Sequence, residues 1–281
     1  MNIFDPSPIL DCPLCQGNGY TIFQKGELAQ ARICSCVPMC PRCKGYGVIS
    51  VEQGGIHRSA RCRCQKLPDR IQVFNLANIP AIHGHSSFAS FRHLDGTSSR
   101  AMKVCTLWIE SLNTEEPNRG IVMSGNVGRG KTHLLVSLMK ALVFRFGKRT
   151  RFIEFSRLLG QLRSAYSKGQ GEEAILDDLI RVPILAIDEL GKGRLNDWEQ
   201  SVIDDIISRR YNSMKPILAT SNFRWGTVTG NIESNLSDPD FKKQSIADRI
   251  GSRAFSRLQE MCVHVEVSGD DFRKRNIQSF S

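Results

Sequence analysis

The hydrophobic positions change rhythm part-way along the chain. From about residue 98 onward, short unbroken apolar runs alternate with stretches in which apolar side chains return every three or four positions. The runs predict buried strands at 121–124, 151–155 and 262–267, with two more starting at Ile184 and Ile217. The three-to-four spacing predicts helices near 98–112, 132–143, 156–167, 172–180, 197–211 and 243–260. Strand and helix in alternation imply an α/β fold, a three-layer parallel sheet with helices on both faces. The first 64 residues have neither rhythm; they hold two short strand-like pieces, 20–23 and 48–51, between glycine turns. The stretch between the two regions is mixed and carries Pro68, Pro80 and Gly84, which predicts a linker. The expected organisation is a small module over 1–66, a linker over 67–92 and an α/β domain over 93–281.

The loop after the strand at 121–124 carries the chemistry. Gly125, Asn126, Val127, Gly128, Arg129, Gly130, Lys131 and Thr132, followed by His133, fit a phosphate-binding loop between a strand and a helix. Its glycines let backbone N–H groups turn inward around phosphates, Lys131 reaches the terminal phosphates, and Thr132 suits magnesium. The run from Ile184 ends in Asp188 and Glu189, as when a buried parallel strand delivers acids to its C-terminal edge. Asp188 is the candidate holder of the Mg²⁺ shell, and Glu189 the residue that orients and deprotonates the attacking water. The bland reading, a solvated turn, loses ground beside the phosphate loop. The run from Ile217 ends in Thr220, Ser221 and Asn222; Asn222 suits polarising that water or sensing the γ-phosphate, although Ser-Asn is also ordinary turn chemistry. An ATPase using ATP and Mg²⁺ follows from the ordered set.

Eight of the ten cysteines lie between Cys12 and Cys64, in a repeat offset by 28 residues. Cys12 and Cys15 map onto Cys40 and Cys43, and Cys34 and Cys36 onto Cys62 and Cys64; Gly17, Gly19 and Gly26 repeat as Gly45, Gly47 and Gly54. Four thiolates make a closed tetrahedral Zn²⁺ site that holds together a module too small for a core. Two zinc ions are therefore expected. The tandem grouping places Cys12, Cys15, Cys34 and Cys36 on one ion and Cys40, Cys43, Cys62 and Cys64 on the other; a nested grouping is the alternative, and disulfides suit a reducing compartment poorly. Cys105 and Cys262, in apolar surroundings, read as core.

Charge changes the picture in one respect. With 38 Lys and Arg against 28 Asp and Glu, the formal net charge is +10, which favours a polyanionic partner such as nucleic acid. No apolar run is long enough for a membrane span and no secretory pattern opens the chain, so a cytoplasmic location without membrane contact is expected.

At this point the residues resemble known families. The Cys-x-x-Cys-x-Gly-x-Gly knuckles resemble those of DnaJ-type chaperones, without the rest of that family's features. About 87–273 resembles the AAA+ ATPase of the DnaC/DnaI helicase-loader and IstB group, through the phosphate loop, Phe152 to Phe155, Asp188 to Arg194, Arg210 to Asn212, Thr220 to Asn222, Arg253 to Cys262 and Gly269 to Arg273. The resemblance implies ATP-dependent loading of a replicative DNA helicase, gripped by the N-terminal zinc module, onto single-stranded DNA, with self-association through the ATPase domain. The sequence departs from that family in two respects: the zinc motif is duplicated, and the stretch after the last strand is too short for a helical lid, so a core without a lid is expected. Arg257 matches the family's trans-acting finger and Arg253 its companion; the plain alternative is pairing with Asp248 or Glu260. Lys148, Arg149, Arg151, Lys192 and Arg194 are candidates to track DNA, or simply a solvated face. An IstB-like transposition helper is the alternative function, and a non-enzymatic zinc adaptor a third, disfavoured by the presence of both Asp188 and Glu189.

Overall fold

The computed structural model describes residues 6–91, 96–112, 119–169, 171–193, 196–226 and 245–269, and they divide into two compact units. Arg194, the start of the helix expected at 243, and the motif residues beyond Gly269 lie outside the described residues.

The first unit comprises residues up to His85 together with Lys140–Arg149. It opens with two antiparallel hairpins, β1 (Tyr20–Lys25) with β2 (Leu28–Ile33), and β3 (Val48–Gln53) with β4 (Ile56–Arg61). The 28-residue offset holds down to the backbone. Gln16 and Lys44 have φ of 49° and 50°, and Gly19 and Gly47 have 77° and 75°. These left-handed positions turn the chain back from each knuckle, which is why glycine recurs there. The segment expected as a linker contains a helix, α1 (Lys66–Asn75), which packs on β2 and buries Leu67, Ile71 and Phe74. Its shortness and the Pro68 in its first turn, where proline is tolerated, hid it from the sequence pattern. Asn75 clamps β2 through Ala31, accepting from its N–H at 2.7 Å and donating to its C=O at 3.1 Å. Phe144, in a π-helical turn at Leu142–Phe146, stacks on Tyr20 with ring centroids 3.7 Å apart.

The second unit comprises 86–139 and 150–281. Its described elements are α2 (Gly96–Ser111), β5 (Gly120–Ser124), α3 (Lys131–Ala141), β6 (Thr150–Glu154), α4 (Phe155–Ser167), α5 (Glu173–Arg181), β7 (Ile184–Asp188), α6 (Asp197–Asn212), β8 (Ile217–Ser221), α7 (Ile246–Ile250), α8 (Ser252–Met261) and β9 (Cys262–Glu266). The five strands form one parallel sheet in the order β6-β7-β8-β5-β9. Every residue of β5, β7 and β8 is buried, as expected for central parallel strands covered on both faces. The helix expected over 243–260 is broken. A capping box between Ser245 and Asp248 starts α7, and Gly251, at φ 85°, ends it before α8 begins. Cys105 and Cys262 are buried, with burial pushing both thiols up to about 12. Among the described residues no helix is long and apolar enough to cross a membrane.

Candidate functional site

The sheet order puts β5 between β8 and β9, so the loop leaving β5 stands beside the C-terminal end of β8, with β7 next along. Ligands of open α/β sheets collect at such edges. Gly125, with φ 145°, and Gly130, with φ 83°, adopt backbone conformations that suit glycine. A Cβ on Gly125 would lie 2.1 Å from the Val267 carbonyl oxygen, and one on Gly130 would lie 2.7 Å from the Phe91 ring. Lys131 is buried, and its ammonium donates to the Gly125 and Asn126 carbonyls at 2.7 and 2.6 Å.

Thr132 Oγ1 donates to Asp188 at 3.0 Å and Thr220 Oγ1 donates to it at 2.6 Å. The first turn of α3 and the ends of β7 and β8 thus meet on one buried carboxylate. Burial raises the Asp188 pKa, opposed by the Thr220 and Thr132 hydroxyls. A carboxylate held in that environment between hydroxyls suits a divalent cation, so these residues fit magnesium. Glu189 follows in the left-handed region, φ 56°, an uncommon conformation for a side-chain-bearing residue, and its N–H is fixed by Thr220 Oγ1 at 2.9 Å. That turn swings its carboxylate away from the strand, where it pairs with Lys192. Asn222 stands at the end of β8, half-buried. Val127, Gly128, Arg129 and Asn126 form the loop itself, between β5 and α3.

His133, a candidate nucleotide-binding residue, also organises a turn that falls within the expected linker, 67–92. Its Nε2 lies 2.8 Å from the Ser87 carbonyl oxygen and 3.2 Å from Ser90 Oγ, and its ring is 5.6 Å from that of Phe91. The signal that could have found this turn is Ser87-Phe88-Ala89-Ser90, whose two serines cap each other. Arg253 and Arg257 both face Asp204 of α6, at 3.9 and 3.2 Å, and not the expected Asp248 or Glu260. Asp248 is occupied in the α7 cap, and Glu260 accepts from the Tyr211 hydroxyl at 2.7 Å. Of the basic candidates for DNA, Arg151 pairs with Asp178 at 3.1 Å and Lys192 with Glu189.

The cysteines group in tandem. Cys12, Cys15, Cys34 and Cys36 bring their sulfurs within 4.8 Å of one another, and so do Cys40, Cys43, Cys62 and Cys64. Sulfur pairs are 3.7 Å apart for Cys12–Cys34 and Cys40–Cys62, and 3.4 Å for Cys15–Cys36 and Cys43–Cys64. Bonded sulfurs would be near 2.05 Å, whereas a tetrahedron with Zn–S of about 2.3 Å has edges of about 3.8 Å. Both clusters therefore fit zinc, and neither is a disulfide. The Cys15 and Leu14 N–H groups hold the Cys12 thiol down to about 7, while burial pushes Cys36 up to about 12. One thiolate is easily formed in such a nest; four require a cation.

The sequence pattern described as IstB-like ATP binding protein matches residues 63–279. The chain belongs to this family. As a member of the IstB-like ATP-binding proteins it resembles the replicative helicase loader DnaC of Escherichia coli strain K12, with 28% identity over 168 residues, 59% of this chain and 67% of that protein. It also resembles the insertion sequence IS5376 putative ATP-binding protein of Geobacillus stearothermophilus, 33% identical over 124 residues, 43% of this chain and 48% of that one. The crystal structure of the DnaC helicase loader superposes with a TM-score of 0.55 at 25% identity, covering 66% of this chain and 99% of that one. The structure of DnaI, at TM-score 0.51 and 19% identity over 69% of this chain and 93% of the other, shares the fold. The family match starts at residue 63, so it speaks for the nucleotide-binding region and leaves the cysteine clusters to their own geometry.

Proposed function

We propose that this chain is an Mg²⁺-dependent ATPase that loads a replicative DNA helicase onto single-stranded DNA. The observation that carries the reading is the convergence of Thr132, Asp188 and Thr220 beside the phosphate loop, in a chain of the IstB-like family with DnaC among its relatives. In this reading Lys131 and the loop N–H groups hold the phosphates. Thr132 and Asp188 hold Mg²⁺, which screens phosphate charge when bound. Glu189 orients and deprotonates water, and Asn222 polarises it. Arg257 would leave Asp204 to act on a neighbouring subunit. Arg257→Ala should then bind ATP normally, lose most partner-stimulated hydrolysis, and regain part of it when mixed with Lys131→Ala; unchanged hydrolysis would remove Arg257 from the site.

The proposed division of labour gives the zinc-bearing residues, 1–66, the helicase contact and the ATPase domain a contact with DNA. Pull-downs of replicative helicases with the full chain in ATP and in ADP test the loader reading, which expects capture that depends on the nucleotide. A transposition helper of IstB type is the second reading, supported by the family match and by the IS5376 relative. Capture of a transposase and of no helicase would replace the first reading with the second.

A further inference from the structure

The two zinc hairpins share a frame and differ in what they show to solvent. In the first copy, β2 alternates so that Ala29 and Ala31 are buried, and its backbone is held by Ile79 and Asn75. The equivalent residues 28 positions later are His57 and Ser59, and both are exposed. Residues 12–38 contain Lys25 and Arg32 against Glu27; residues 40–66 contain Arg42, Lys44, Arg58, Arg61, Arg63 and Lys66 against Glu52 alone. All six basic residues of the second copy are exposed. Arg61 is the member already paired, to Asp69 on α1. At the second knuckle Tyr46 stands 82% exposed where the first copy has Asn18.

We infer that the second zinc hairpin is a binding surface for the backbone of single-stranded DNA. A protein-docking face would need its packing positions kept apolar and its charges mixed. Here those positions have become His57 and Ser59, and the charge is nearly all of one sign. A polyanion is the complement of such a ribbon, through release of condensed counterions, and an exposed ring on a rigid knuckle offers a stacking platform to an unpaired base. Duplex DNA presents the same phosphates without a free base face, so Tyr46 tells the two apart. The zinc cluster holds the knuckle and both strands in register, which keeps the cationic side chains on a fixed frame. The surface is additional to any contact made by the ATPase domain, where Arg151 and Lys192 already engage acids, and it leaves the proposed helicase contact to the rest of residues 1–66.

The test uses the full-length zinc-loaded chain and fluorescence anisotropy with labelled oligothymidine of about 20 nucleotides. The combined variant Arg42→Glu, Arg58→Glu, Arg63→Glu should weaken binding at least tenfold at about 0.15 M salt. It should lower the slope of log affinity against log salt by about 2, as expected for three lost phosphate contacts at about 0.7 each. Reversal of both cations of the first copy, Lys25→Glu with Arg32→Glu, should change affinity less than about threefold. Tyr46→Ala should weaken oligothymidine binding about fivefold or more and leave the salt slope and blunt duplex binding unchanged. Zinc content of two and unchanged nucleotide binding exclude misfolding as the cause. Equal losses from the two hairpins would overturn the proposal. So would a Tyr46→Ala effect shared by the duplex, or second-copy variants that bind DNA like the wild type while losing only a captured helicase. Because no helicase is needed, the result stands or falls independently of the loader reading.

Discussion

Residues 12–64 hold eight cysteines and bury little else beyond Ala29 and Ala31 in their strands, whereas β5, β7 and β8 bury every residue they contain. In the first region the strands bury few apolar side chains and the cysteines gather in two clusters that fit zinc, and one hairpin carries six cations while its twin carries two. In the second region packing is the constraint, and burying a polar group there is costly unless it finds partners. Arg210 shows the limit: wholly buried, it faces carbonyl oxygens of Leu179, Ile180, Val182, Pro183 and Pro216 at 2.7–3.2 Å. It gathers the end of α5 and the entries to β7 and β8 around one guanidinium, and burial lowers its pKa to about 10.

The largest effect should come at the phosphate loop. Lys131→Ala should cut nucleotide affinity by about 100-fold or more. If Glu189 has the role proposed for it, Glu189→Gln should bind ATP yet hydrolyse it about 100-fold more slowly or worse, for want of a group to activate water. Nucleotide titration and phosphate release separate the two, and wild-type turnover by Glu189→Gln would remove it from that role. Neither change should alter zinc content.

Zinc removal breaks the comparison from the other side. Chelation should lower amide-exchange protection across β1 to β4, most in β3 and β4, while the amides of β5, β7 and β8 remain protected, since the cysteine clusters lie in the first region. Cys40→Ser should release one of two ions and leave ATP binding intact; loss of both ions, or none, would contradict two separate clusters. Arg210→Leu probes the packed side. Leaving five buried carbonyls without their donor should cost on the order of 3 kcal/mol in denaturant unfolding, while an exposed arginine such as Arg58 changed to Leu should cost under about 0.5 kcal/mol.

The smallest effect expected is titration of His264 on β9. It lies under Trp225, with ring centroids 4.6 Å apart, and within 2.7 Å of Ser124 Oγ, and burial lowers its pKa to about 4. The unfolded chain takes up the proton near 6.5, so the stability from the neutral ring is complete above that value and is lost as pH falls towards 4. Between pH 7 and 5 the wild type should lose on the order of 1 kcal/mol more than His264→Gln, allowing for partial exposure of the ring. Identical pH profiles would show that the ring does not titrate differently on folding.

Much of this protein is local in origin and was legible. The phosphate loop needs glycines and Lys131 at fixed spacing, the strands need short apolar runs, and the zinc knuckles need cysteines and glycines at fixed offsets. The sequence by itself therefore determined the α/β class, the phosphate-loop element and the eight-thiol repeat. Tertiary structure alone decided what depends on distant residues meeting. It chose tandem over nested grouping of the cysteines, since composition allows both and only the hairpin geometry brings Cys12 beside Cys34. It broke the last long helix at Gly251, where a capping box competes with helical periodicity. It turned Arg253 and Arg257 towards Asp204, roughly fifty positions away in sequence, for which no spacing rule exists. And it covered one hairpin while leaving its twin bare, because burial is set by what folds onto a strand and not by the strand's own pattern.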